Sequence, residues 1–345
     1  MRSALYFLLF PIMLSTCIGV IDFPVNEKSY VVIYGQLTNL DEPHLIQVAR
    51  SSIYGKPPQP VSGALIELRD GSSTYPAVEV KPGQYLVQGL TKGVSGEAYS
   101  LSVRIGSKTY LSQPETLPMS VGRDSAYHTF SNESVISSDG KRVVRLIYVH
   151  SKSTIPRSAN MFVRWEVEEN YYFDLTDFPD PFNTPPPPCY ASDRVNPQKI
   201  NLVNAAELSG PEIDQQLVSR EVDFTFKSRH YFTVRQLSIT STCHTYWRKV
   251  REVLNNRGSP FDSPPATVIG NFYNPNDQSE KVLGYFEVAN VSYDRFFLVP
   301  GWIPFYLEPY CEYDPEKPFD KYPAVCIDCG KLPNGSGTGP PWFGN

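Results

Sequence analysis

Apolar and polar residues alternate with a period of two, again and again between turn signals, and this pattern most limits what the chain can fold into. In Val61–Arg69, Ala64, Ile66 and Leu68 alternate with Leu65, Glu67 and Arg69. In Tyr99–Ile105, Tyr99, Leu101, Val103 and Ile105 alternate with Ser100, Ser102 and Arg104. Successive strand side chains point to opposite faces, so one set lies in a core and the other in water. Asp70-Gly71, Pro82-Gly83, Gly93, Gly96 and Gly106-Ser107 supply the turns. About seven strands in about ninety residues predict an immunoglobulin-like sandwich over 29–118, and Pro60-Val-Ser-Gly-Ala64, Gly83-Gln-Tyr85 and Gly96-Glu-Ala-Tyr99 within it resemble prealbumin-like sandwiches. The fold class is mainly β, with this sandwich followed by a larger β domain.

That larger unit is expected over 119–309. Asp139-Gly140 joins two runs as a hairpin. Met161–Val167 alternates again. Glu221–Ser228 and Tyr231–Ile239 are expected to pair around Arg229-His230, and Val282–Ala289 and Arg295–Val299 to close the unit. One helix is expected near 241–256, with Ser241 or Thr242 as its N-cap. Cys243, Tyr246, Trp247, Val250, Val253 and Leu254 share one face of it, and Gly258 stops it. Asp174–Pro188 reads as a loop stiffened by Pro185 to Pro188. Residues 310–345 read as an irregular Cys/Pro/Gly-rich tail.

The first residues give a basic start, an apolar run from Ala4 to Leu14, and Ser15-Thr16-Cys17. The run is shorter than the about 20 apolar residues that span a bilayer and has the plan of a secretory signal. Leu14-Ser15-Thr16-Cys17 resembles a lipobox. The resemblance implies a signal peptide over 1–16, a lipid anchor on Cys17 and a linker over 17–28. The membrane is then a partner through the lipid.

The 31 Lys and Arg stand against 36 Asp and Glu, a formal net charge of −5 with no basic run. Nucleic-acid binding needs a basic footprint, so none is expected. With Cys17 lipidated, five cysteines remain. Cys243 lies on the helix's apolar stripe and reads as a buried free thiol, leaving Cys189, Cys311, Cys326 and Cys329 for two disulfides. Cys326 and Cys329 are expected to pair outward, with Cys189 and Cys311 in an order the sequence leaves open. A zinc site and a Cys326–Cys329 redox pair remain as alternatives. No two of the five histidines share a metal-site spacing, and no nucleophile elbow, phosphate loop, dinucleotide fingerprint or zincin motif occurs. No catalytic residue, metal or cofactor is therefore assigned, although carboxylates brought together from distant positions stay open. Tyr171, Tyr172, Phe173 and Phe178 flank the proline loop as candidates for binding a partner, and Trp302, Phe305, Tyr306 and Tyr310 form a second aromatic group. The alternative is that these rings pack beneath their loops.

Several stretches resemble one family along the whole mature chain. They are Tyr30-Val-Val-Ile-Tyr-Gly-Gln-Leu-Thr38, Val61-Ser-Gly-Ala64, Gly96-Glu-Ala-Tyr-Ser-Leu101, Tyr246-Trp247, Phe261-Asp-Ser-Pro-Pro265, Gly270-Asn271, Val282-Leu-Gly-Tyr-Phe286 and Cys326-Ile-Asp-Cys329. The family is domain-of-unknown-function family 4249, lipoproteins of the Bacteroidota. The resemblance implies an outer-membrane lipoprotein found beside TonB-dependent β-barrel transporters, with an accessory role in nutrient capture and no catalytic residues to carry over. A surface adhesin and an uncharacterised hydrolase are the alternatives.

Overall fold

The alternating runs become strands whose apolar faces meet. The computed structural model describes residues 29–52, 56–122, 124–137, 140–155, 161–173, 188–255, 267–308, 310 and 316–344. Cys17, Phe178, Cys311 and the loop residues 174–187 lie outside them, as does the side chain of Phe173.

In the first unit, β1 (Val31–Thr38), β2 (Leu45–Arg50), β3 (Leu65–Arg69), β4 (Thr74–Lys81), β5 (Gln84–Val87), β6 (Ala98–Ile105) and β7 (Lys108–Ser112) pair antiparallel in the order β1-β2-β5-β4-β3-β6-β7. Ala64, Ile66, Leu68, Tyr99, Leu101 and Val103 are buried in one core, as their alternation predicts, while Leu65 stays exposed. The Tyr85 hydroxyl, inside this core, donates to the Val61 carbonyl and accepts from the Ala64 N–H.

The second unit stacks two sheets. β8 (Asp124–Ser137) and β9 (Gly140–Thr154) form the expected long hairpin, Ser137 opposite Gly140. β10 (Phe162–Phe173) pairs along one edge with both β11 (Cys189–Arg194) and β12 (Asn201–Asn204). β13 (Glu212–Glu221) joins β9. β14 (His230–Ile239) lies between β10 and β15 (Phe286–Leu298). Trp165, Val167, Ile147, Val149, Leu217, Phe232 and Val234 fill the space between the sheets.

Three expectations change. The residues around 221–239 are not a hairpin. The Asp223 carboxylate accepts from the N–H and hydroxyl of Thr225, forming a 3-10 turn over Phe224–Lys227 that carries the chain from one sheet to the other. His230 is therefore fully buried at the start of a strand, stacked on Phe226 and bonded to Glu169 at 3.0 Å. The two closing runs, from Phe286 onward, are one strand. β15 pairs in parallel with β1 over Phe286–Ala289, then antiparallel with β14 over Asn290–Leu298. A boundary at 118 thus separates strands that fold together, because the first core is completed by Phe272, Val282, Phe286 and Val288.

The first sheet closes on itself through this late segment. Phe272-Tyr273 pairs with β7 at one edge, Val282-Leu283 pairs with β1 at the other, and Ile269 bridges to Leu283. Asn271 substitutes for a strand neighbour, its amide both accepting from the Phe286 N–H and donating to the Phe286 carbonyl. A Cβ on Gly270 would overlap the Gly284 carbonyl, and one on Gly284 (φ +90°) would overlap that of Ile33. Gly284→Ala is therefore expected to cost at least about 2 kcal/mol, from left-handed backbone strain plus the displacement of β1. A urea midpoint equal to the parent's would defeat this account.

The helix α1 (Ser241–Asn255) begins where expected, but the cap is Thr240 instead of Ser241 or Thr242: its hydroxyl accepts from the Cys243 N–H. Only its first two turns pack, through buried Cys243 and half-buried Tyr246 and Trp247. Val250, Val253 and Leu254 remain half-exposed.

Candidate functional site

The outer face of the β10–β14–β15 sheet carries an unusual density of charge. Registers place Glu166 beside Arg235 and Arg235 beside Tyr293, and in the next row Glu168 beside Thr233 and Thr233 beside Arg295. All share one face because strand residues two apart do. This face is covered at one end by α1 and at the other by the C-terminal tail. Between them an open cleft of about 480 Å³ remains, within the ~300–1,000 Å³ range of small-molecule sites.

A floor and two walls build it. The floor is Glu168, Asn170, Thr233, Arg235, Tyr293 and Arg295. One wall is the loop after β1, with Leu40, Asp41 and Glu42, contributed by the first unit. The other is the tail, with Pro340 and Trp342. The tail is seated by rings: Phe343 packs 5.5 Å from Tyr172, 5.2 Å from Tyr190 and 4.7 Å from Tyr231. It is also clipped covalently, since Cys329 is bonded to Cys189 at the start of β11.

The two cleft arginines are held differently. Arg235 spends its fork on Glu42, donating at 3.1 and 2.8 Å to its two oxygens, and lies 3.9 Å from Glu168. Burial would raise the Glu42 carboxyl, but Arg235 holds it below the usual range. Burial pushes Glu168 up, because Arg235 is farther from it. Arg295 stacks 3.4 Å above the Trp342 ring and donates from Nε to Thr233 at 2.9 Å. Among the described residues it has no carboxylate partner. Asn170 donates to Ser192 at 2.7 Å, leaving its carbonyl oxygen as an acceptor. Chemically, the cleft offers an anchored guanidinium, hydroxyl and amide groups, and two aromatic surfaces.

Beside the cleft and under α1, the same face is sealed around Arg164. Arg164 bonds Glu166 at 2.5 Å and Glu287 at 2.7 Å, with its guanidinium 4.4 Å from the Trp247 ring. Glu287 also accepts from Trp247 at 2.5 Å and from Gln36 at 2.9 Å. Burial pushes the adjacent Cys243 thiol up, which keeps it neutral. This hub joins both units and the helix. A second buried cluster joins Glu169 to Arg220 and His230, both at 3.0 Å.

The residues picked from sequence fare unevenly. Tyr171 is no partner-binding surface: it is buried and stacked on His230 at 5.1 Å. Tyr172 lies on the opposite face, beneath Tyr190 and Phe343, because neighbouring strand residues alternate. The rings that stay exposed belong to the second group, Trp302, Tyr306 and Tyr310, whereas Phe305 packs on Phe130. Tyr306 and Tyr310 line another open pocket of about 430 Å³ with Arg145. Cys189–Cys329 is a disulfide, Cys243 is a buried free thiol, and Cys326 is disulfide-bonded to a partner outside the described residues.

Residues 19–295 match the family described as domain of unknown function DUF4249. The chain belongs to this family. The matched stretch holds the floor of the cleft and the 40–42 wall, and ends at Arg295, before the tail that supplies Trp342. No curated protein matches the chain.

Proposed function

We propose that this DUF4249 protein is a non-enzymatic cell-envelope lipoprotein that holds a small polar ligand in the cleft and serves a TonB-dependent outer-membrane transporter in nutrient uptake. The observation that carries the binding role is preorganisation. Arg295 is fixed by Trp342 and Thr233, and Arg235 by Glu42, before any ligand arrives. Side chains already ordered add little entropic cost to binding. The accessory role rests on the lipobox at Cys17 and on the family resemblance. No helix among the described residues is long and apolar enough to cross a membrane, so in this reading the acyl chains make the attachment.

A tag for the decisive pull-down belongs in the exposed turn at 70–73, since the C-terminal residues wall the cleft. From native membranes in mild detergent, a β-barrel transporter is expected to co-purify. Recovery of only soluble monomer would overturn the accessory role, and an adhesin would leave the barrel behind. Cys17→Ser is expected to abolish palmitate labelling and move the protein out of the membrane fraction. Continued labelling of that variant would sink the anchor.

One observation favours a second reading as a hydrolase. Glu42 is held down and Glu168 pushed up, the split expected of a base and an acid. Against it, both Glu42 oxygens are taken by Arg235 and one also by Thr38 at 2.6 Å, so Glu42 buttresses Arg235 instead of activating water. Turnover of a glycoside that disappears in Glu168→Gln would decide for the enzyme.

A further inference from the structure

We infer that the cleft takes a singly charged, hydroxylated ring carboxylate, a sugar acid, with its carboxylate on Arg295. This rests on the reading of the cleft as a binding site and names its ligand class.

Charge makes the first selection. Glu42 neutralises the charge of Arg235 through both of its oxygens, and the remaining Nε of Arg235 is buried away from solvent, so Arg295 is the better seat for a ligand anion. Arg295 makes no ion pair among the described residues. Its Nε is used by Thr233 and one of its faces by Trp342, which leaves the terminal edge of the guanidinium. That planar edge matches a carboxylate through two parallel hydrogen bonds. Asp41 at the rim and Glu168 on the floor oppose a doubly charged group, so a phosphate dianion fits poorly.

Hydroxyl partners make the second selection. The Asn170 carbonyl oxygen, the Ser192 hydroxyl and the Glu168 carboxyl sit on the same floor as Arg295. A simple aliphatic acid would leave them unmatched, and a neutral sugar would leave Arg295 desolvated without an anion, each at a cost. The about 480 Å³ of space is ample for one or two pyranose rings, and Tyr293, half its surface exposed, offers them an apolar face.

Titration calorimetry on the full mature protein tests this with glucuronate and galacturonate, against glucose, acetate and inorganic phosphate. At least one uronate is expected to bind roughly tenfold or more tightly than every control. Arg295→Gln is expected to lose roughly tenfold or more of that affinity, and Arg295→Lys to recover only part, because it restores charge without the fork. Circular dichroism and the thermal midpoint of each variant check that it is folded. Glucose binding as well as the uronates, with Arg295→Gln inert and Asn170→Leu harmful, would overturn the ligand class and leave the cleft as a site. Uronate binding that neither substitution touches would place it elsewhere and remove the cleft reading too. Tighter binding of phosphate or acetate, or no binding of any probe, would overturn the sugar-acid class.

Discussion

Replacing Cys189 and Cys329 together by alanine is expected to lower the stability of the protein by about 5 kcal/mol, measured as a fall in urea midpoint under oxidising conditions. The two residues are 140 apart in sequence, and in the loop-entropy model a crosslink over that span removes about this much freedom from the unfolded chain. Their Cα atoms stand 5.4 Å apart, an ordinary spacing for a bridge. The full effect appears only if the tail stays docked when the bond is gone. Gly335-Ser336 pairs with β11, Phe343 sits among three tyrosines, and Trp342 carries Arg295. These contacts favour a docked tail in the native state. If instead the tail peels away first, the midpoint falls less and a protease cuts early after residue 316. Ligand affinity then drops with it, since Trp342 leaves the cleft. A parent-like midpoint with an intact tail would show that the bridge contributes nothing.

What the sequence revealed follows from how many sides of each strand are covered. β3 and β6 have one face in a core and one toward solvent, so their alternation was plain. β14 is buried along almost its entire length, because the packed sheet lies on one face and the helix, cleft and tail on the other. A strand covered on both faces loses its period. The same cause hid the shared strand: Phe286–Val291 is buried residue after residue. It read as the end of one run, although it belongs to both units.

The cleft was hidden for a different reason. Its parts come from 40–42, 168–170, 192, 233–235, 293–295 and 340–342, and each alone is an unremarkable polar strand position or tail residue. Glu168 follows the Met161–Val167 run without a mark of its own, and Trp342 lies in the irregular tail. One signal was present. Thr233 with Arg235, and Tyr293 with Arg295, place two same-face pairs on neighbouring strands, and an arginine on each is more charge than a covered sheet face tolerates without partners. Of the aromatic residues near the proline loop, Tyr171 is buried and Tyr172 half-buried, because strand position and not nearness to a loop sets exposure. Strand geometry sends Tyr171 inward to His230 and Tyr172 outward beneath the tail.

Arg164→Met is expected to cost about 3–5 kcal/mol, the penalty for leaving buried charge without its partner. Arg164 is 3% exposed, Glu166 8% and Glu287 0%, so water cannot replace the lost guanidinium. Trp247 and Gln36 would still donate to Glu287, but neither carries charge. Adding Glu287→Gln to Arg164→Met should return part of the loss, because it removes the orphaned charge while keeping an acceptor for Trp247. In a double-mutant cycle read by urea unfolding, the two sites should couple by about 1–3 kcal/mol. Acid sharpens the test. Burial alone would raise the Glu166 carboxyl, yet Arg164 and Arg194 hold it below its usual value of 4.5. A carboxyl lowered in the folded state contributes fully above its unfolded value, and that contribution fades as pH falls through the folded one. The parent should therefore lose stability on acidification below about pH 4.5, and Arg164→Met should lose less over the same interval. Strictly additive substitutions, with identical acid slopes in parent and variant, would mean that the hub is packing alone and that its charges do not hold the two units together.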